Sequence, residues 1–247
     1  MKDDIDFEFI YKDSAGKGRD PDKYSVELGE THCKIWTRRK RLGTLKHNPL
    51  NKLVTTINGV DFVFAPDSIT NSFRNSDRLI KELKTKERDL IKSFGEEVQT
   101  LLDKFIKSDY TIGSSIIFPV SINNKSVGWT MNRARGLSSK VHDRIDYTLE
   151  CIKRFYDGNM DNPLLSAIER SAEFFRLFDD FNDYVRFFFL DDFIDENGNV
   201  KSLTGTMDFA NPFPITEEKY IQYLTNTISF VDKRNQRMKK WYHEIIL

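Results

Sequence analysis

The side chains best suited to chemistry lie between residues 132 and 150. Asn132-Arg-Ala-Arg-Gly136 sets an amide and two guanidinium groups beside a glycine. A helix is expected to start shortly after, capped by Ser138 or Ser139 and carrying Val141, Ile145, Leu149, Ile152 and Tyr156 as its apolar stripe. Free N–H groups at a helix start favour anions, so Asn132, Arg133 and Arg135 form a candidate anion cradle. The same helix carries Asp143, Asp146 and Glu150. Asp146 and Glu150 are one turn apart, and Asp143 and Glu150 two turns apart, so the three flank one side. Such carboxylates can hold a divalent metal or divide acid and base roles. They can equally be salt-bridged to Arg133, Arg135 and Arg154 as a network that orders the core.

A second candidate for polyanion contact is the run Arg38, Arg39, Lys40, Arg41, with Trp36 before it and Lys46 and His47 after. Arginine binds phosphate bidentately and an adjacent tryptophan can stack on a base. A solvated helix end or a partner-facing patch reads from the same residues.

Other motifs fail on spacing. Ala15-Gly-Lys-Gly-Arg-Asp20 lacks the interval of a P-loop, and Pro21 follows it closely. A calcium-loop register over 193–204 puts Phe193 and Thr204 at required ligand positions, so Asp195 to Asn199 reads as a tight turn. His32, His47, His142 and His243 are dispersed, and Cys33 and Cys151 have no partner spacing, so no metal site and no cofactor motif is expected. His32 and Cys33 would diverge by roughly 100° on a helix, which argues against a nucleophile pair.

The elements that position these residues read as α+β, predominantly α-helical. A small antiparallel β-hairpin is expected around Asn58-Gly59, between Val54–Ile57 and Val60–Phe64. Residues 5–11 read as a short strand, 27–41 as a helix, and 75–107 as helices interrupted at Gly95. Thr111 to Val120 reads as a strand or buried extended segment, followed by a turn at Asn123-Asn124-Lys125. Pro163 opens a further helix, the aromatic-rich stretch from Phe178 to Phe193 forms the heart of the core, and Thr216 caps a long terminal helix. The economical arrangement is one domain over 1–247, with a β-containing part to about residue 70 and a helical part from about 75 packed as a multi-helix core.

Lysine plus arginine and aspartate plus glutamate each number 38, so the net charge is zero and any polyanion site must be local. No apolar run approaches the roughly 20 residues that span a bilayer. The acidic Met-Lys-Asp-Asp start and the two dispersed cysteines fit a cytoplasmic protein without membrane contact.

Five strings carry a resemblance to a known family: Asp20-Pro-Asp-Lys-Tyr-Ser25, Phe64-Ala-Pro-Asp-Ser-Ile69, Tyr110-Thr-Ile-Gly113, Asn132-Arg-Ala-Arg-Gly136, and Asp143-Arg-Ile-Asp-Tyr-Thr-Leu-Glu-Cys-Ile-Lys-Arg154. Their order resembles a bacterial family of this length, catalogued as a domain of unknown function, and it implies no activity or catalytic residues. The chain departs from that family at 38–52, where the family has a Pro/Gly-bearing loop. Thr111-Ile-Gly113, the apolar run and the later Asn-x-x-x-Gly are also similar in rhythm to the C-terminal part of HNH-type nuclease domains. Such domains use an upstream Asp-His pair, which this chain lacks, and Ser114 stands where they carry Asn; the likeness is that of a degenerate copy. The leading expectation is a binding or interaction protein with an arginine-rich site for phosphate, nucleic acid or a protein partner. The alternative is a metal-dependent hydrolase or nuclease, of the kind used in defence, acting through Asp143, Asp146 and Glu150.

Overall fold

In the computed structural model, which describes residues 10–13, 16–17, 19–48, 52–73, 81–128 and 130–246, Asn58 and Gly59 both take positive φ (52° and 80°). That pairing lets a two-residue turn match the twist of its flanking strands. It joins strand β2 (Leu53–Ile57) to strand β3 (Val60–Ser68). Asn123 and Asn124, with φ of 49° and 60°, close a second hairpin between β4 (Ser115–Ile122) and β5 (Lys125–Ser126). β4 pairs with β3, and β1 (Lys46–His47) pairs with β2. The result is a five-stranded antiparallel sheet in the order β1-β2-β3-β4-β5.

The α+β class therefore holds, while the β part is larger than the single hairpin expected at the N-terminal end. β4 returns to the sheet from beyond residue 110. Its pairing with β3 is non-local, and no turn signal announces it. The register slips between Val63 and Phe64, and Phe64 faces Pro119. Proline lacks the N–H a regular ladder needs at that point. Ile116, Ile117 and Phe118 are all buried, so both faces of β4 are covered there.

The helices follow their capping chemistry. Asp20 caps α1 (Pro21–Tyr24), and Ser25 Oγ accepts from Leu28 N at 3.1 Å to cap α2 (Val26–Trp36). α2 stops at Trp36, so the basic run from Arg38 lies beyond it rather than in its last turn. α3 (Lys81–Ser93) and α4 (Glu96–Ser108) are separated at Gly95, whose N–H donates to Glu217 Oε1 at 2.8 Å. Residues 132–136 are not a loop before a helix. They lie inside a short helix, α5 (Met131–Leu137), capped by Thr130 Oγ1. The following helix α6 (Ile145–Tyr156) begins at Ile145, after a turn, and not at the serines expected to cap it. α7 (Leu165–Arg170), α8 (Ala172–Phe175) and α9 (Phe181–Phe187) are short, and α10 (Glu217–Ile246) is long. Asp195 forms the expected turn, accepting from Asn197 N and Asn199 N. The strand expected at 5–11 and the helix start expected near Asn75 fall largely outside the described residues.

The core is aromatic. Phe174, Phe178, Tyr184, Phe187 and Phe188 meet edge-on or tilted, with Tyr184 and Phe188 centroids 4.9 Å apart. Trp36 links this cluster to the sheet, 5.5 Å from Phe187 and 5.2 Å from Phe64. α10 closes the arrangement, and Gly113 allows it to approach. A Cβ at Gly113 would sit 2.5 Å from Val231 O and 2.7 Å from Asn235 Oδ1. Gly113→Ala must displace α10, and urea denaturation should show a loss of about 1–3 kcal/mol; unchanged stability would mean that this contact is not made.

Candidate functional site

α5 turns Arg135 into the interior, where its side chain has no solvent exposure. Burying a guanidinium is tolerable only if oxygen atoms meet its N–H groups. Nη1 donates to Asp67 Oδ2 at 2.5 Å, Nε to Thr148 Oγ1 at 2.9 Å, and Nη2 to the Asp143 carbonyl at 3.2 Å. The Asp143 carboxylate lies 3.2 Å from Nη2. Asp67 comes from the end of β3, and Asp143 from the turn that joins α5 to α6.

That turn carries backbone strain. His142 and Asp143 both hold left-handed φ, 55° and 57°, although neither is glycine. Each such residue costs on the order of 1 kcal/mol. Surrounding hydrogen bonds hold the turn: Asn71 Nδ2 to the His142 carbonyl at 2.8 Å, and Asp143 N to the Arg135 carbonyl at 3.1 Å.

Around this pair the charge is predominantly negative. Asp22 on α1 accepts from Tyr11 OH at 2.9 Å, and Asp109 at the end of α4 accepts from Ser68 Oγ at 3.0 Å. Burial, then the neighbouring charge of Asp67, pushes the Asp22 carboxyl up to about 7. Burial also pushes Asp109 up to about 7, with Asp22 adding to it and Lys12 opposing it. Asp67 is raised by burial and by Asp143, while Arg135 pulls it down. Arg135 in turn holds its proton more tightly because of Asp143 and Asp67, against the effect of burial. A 2.5 Å contact favours charged partners, so we take the Asp67–Arg135 pair as ionised, with Asp67 easily protonated on acidification. Asn132 adds an acceptor: its Nδ2 reaches the Pro66 carbonyl at 3.4 Å, and its Oδ1 is buried with no donor. Among the described residues no three His, Cys, Asp or Glu side chains are arranged to hold a metal ion.

The three carboxylates singled out in the sequence sit on three different guanidiniums. Asp143 pairs with Arg135. Asp146, fully buried, pairs with Arg144 at 2.5 Å and also accepts from Leu203 N at 2.8 Å. Glu150 pairs with Arg154 at 2.8 Å along the exposed side of α6. Arg133 is exposed on α5. The basic run lies elsewhere and clasps α9. Arg38 lies over the Phe189 ring and donates to the carbonyls of Arg186, at 2.7 Å, and Phe187. Arg39 makes a bidentate contact with Asp183, and Arg41 reaches Asp179 at 2.9 Å.

Tyr11, Asp22, Asp67, Asp109 and His142 were not singled out by sequence reasoning. Asp22 and Asp67 each follow a proline in the strings 20–25 and 64–69. Only the pairing of distant segments shows that they share a face.

Two measurements follow. Asp146→Ala leaves the Arg144 guanidinium buried without its carboxylate and should cost about 3–5 kcal/mol by urea unfolding. Glu150→Ala, at a half-exposed pair, should cost no more than about 1 kcal/mol; equal losses would contradict this ranking. The second concerns pH. Asp22 and Asp109 are raised above their ordinary 3.8, so the folded chain holds extra protons between about pH 4 and pH 7. Their contribution to stability is full below that window and is lost as pH rises through it. His32, lowered to about 3 by burial and Arg234, acts oppositely below its ordinary 6.5: one proton against two, with Asp67 joining the majority. The melting temperature should therefore fall from about pH 5 to about pH 8, and the fall should flatten in Asp22→Asn/Asp109→Asn. A rise over that range would refute the charge balance given for this face.

Comparison with curated proteins finds no match, and comparison with solved structures finds none. Among the described residues no helix is long and apolar enough to cross a membrane. A family model described as a family of unknown function matches residues 4–238, nearly the whole sequence. By that match the chain belongs to the family DUF6994.

Proposed function

We propose that this chain is a binding module whose ligand presents a cationic, donor-rich group to the acidic face formed by Asp22, Asp67, Asp109 and Asp143. One observation carries this reading: Asp67 and Asp143 flank the buried Arg135 guanidinium, Asp22 on α1 lies in reach of Asp67, and Asp109, just after α4, lies in reach of Asp22. Burial, with neighbouring carboxylates adding to it, raises Asp22 and Asp109, and the charge of an arriving amine or guanidinium would favour ionisation of both. The Asn132 Oδ1 without a donor suits the same chemistry, because it too can only accept.

An anion site on Asn132, Arg133, Arg135, Arg38 and Arg39 has less support. The guanidiniums of Arg38, Arg39 and Arg135 already donate to oxygens of the chain itself. A hydrolase or nuclease built on Asp143, Asp146 and Glu150 would need carboxylates that face one another, and these face separate arginines.

Titration calorimetry with three probes separates the readings. Spermidine should bind, release protons below pH 7, and lose its heat in Asp22→Asn/Asp109→Asn. Heat with inorganic phosphate that disappears in Arg133→Ala would favour the anion site. Heat with Mg²⁺ alone, abolished by Asp143→Asn, would favour the hydrolase.

A further inference from the structure

Away from the acidic face, α10 and the segment from Asp191 to Leu203 enclose a concavity of about 210 Å³. That is below the roughly 300 Å³ at which pockets for drug-sized ligands begin. Ser229, Phe230 and Lys233 recur at three- and four-residue steps along α10 and line one wall, with Asp192, Phe193 and Lys201 opposite. Phe193 and Phe230 lie against each other and give the pocket an apolar floor. Lys201 and Lys233, both exposed, line it as well; Lys201 also feels the charge of the Asp195 carboxylate. Asp192 uses Oδ1 to accept from Arg237 Nη2 at 2.8 Å, while its Oδ2 is buried and has no donor.

These groups define a complement. Two ammoniums suit a dianion, and a phosphomonoester carries about −1.5 to −2 at pH 7. An acceptor without a donor needs a hydroxyl or amine on the same ligand. We propose that this pocket binds a small phosphomonoester bearing a hydroxyl group. The phosphate lies between Lys201 and Lys233, with the Ser229 hydroxyl beside it, and the ligand hydroxyl donates to Asp192 Oδ2. The carbon skeleton rests on Phe193 and Phe230. The site shares no residue with the acidic face and stands or falls without it.

Glycerol phosphate, inorganic phosphate and glycerol are the probes, followed by calorimetry and by amide chemical shifts on the full chain. Glycerol phosphate should bind more tightly than phosphate, and glycerol alone should not bind. Lys201→Ala and Lys233→Ala change exposed side chains and should each weaken glycerol phosphate by about tenfold or more. Asp192→Asn should narrow the advantage of glycerol phosphate over phosphate while leaving phosphate binding intact. No binding at millimolar concentration, or binding that the lysine variants leave unchanged, would overturn the proposal. Shifts confined to the acidic face would do the same.

Discussion

The buried guanidinium is the constraint on which the rest depends. Arg135, Arg144 and Arg234 are each almost fully enclosed. A cation out of water is sustained only where the chain brings oxygen atoms to each of its N–H groups. Arg135 draws the end of β3 and the 138–144 turn onto α5. Arg144 draws Asp146 and the carbonyl of Pro212, at 2.7 Å, onto the start of α6. Arg234 pairs with no carboxylate among the described residues: it donates to the carbonyls of Gly113, Ser115 and Phe188 at 2.8, 2.8 and 3.0 Å. Burial accordingly lowers its proton affinity to about 9, in contrast to the two paired arginines, whose protons are held more tightly. Arg135 thereby ties down the 138–144 turn, and Arg144 ties the irregular 203–212 segment to α6 through Thr204 and Pro212.

The candidate site is a by-product of the first of these solutions. Placing two carboxylates around Arg135 satisfies the cation but also sets Asp67 close to Asp22 on α1. Tyr11 and Ser68 each supply one hydrogen bond to the surplus carboxylates, which does not offset the cost of burying them. The strained His142–Asp143 turn belongs to the same arrangement, since relaxing it would carry Asp143 away from Arg135. Strain and crowded charge thus coincide at this face.

Much of the architecture was legible from local chemistry. The Asn-Gly and Asn-Asn turns, the break at Gly95 and the aromatic heart at 178–193 each depend on residues close in sequence. What was not legible depends on distance along the chain. β4 was recognisable as an apolar strand, but its partner β3 lies beyond two intervening helices. For the same reason Asp22, Asp67 and Asp109 stand in the sequence as isolated acidic residues far from one another. Charges do meet within 132–150, as Asp143 on Arg135 and Asp146 on Arg144, in a geometry that helical spacing alone does not give. A helix over 131–137 absorbed the arginines, and the shared helical face imagined for Asp143, Asp146 and Glu150 did not form, because Asp143 precedes α6. Ser138 and Ser139 offer cap chemistry, but α6 begins after Arg144 without a side-chain cap, and the capped helix is α5, through Thr130.

Arg234 has a consequence for the order in which the protein can be completed during synthesis. The carbonyls it serves lie at 113, 115 and 188, all made well before it. Until α10 emerges from the ribosome those acceptors, and the groove where Gly113 receives the helix, must remain hydrated. The nascent sheet can therefore pair its strands early but cannot become watertight. Until α10 is added, the side of the aromatic core that it covers stays open to water, and exposed apolar surface in an incomplete chain favours aggregation.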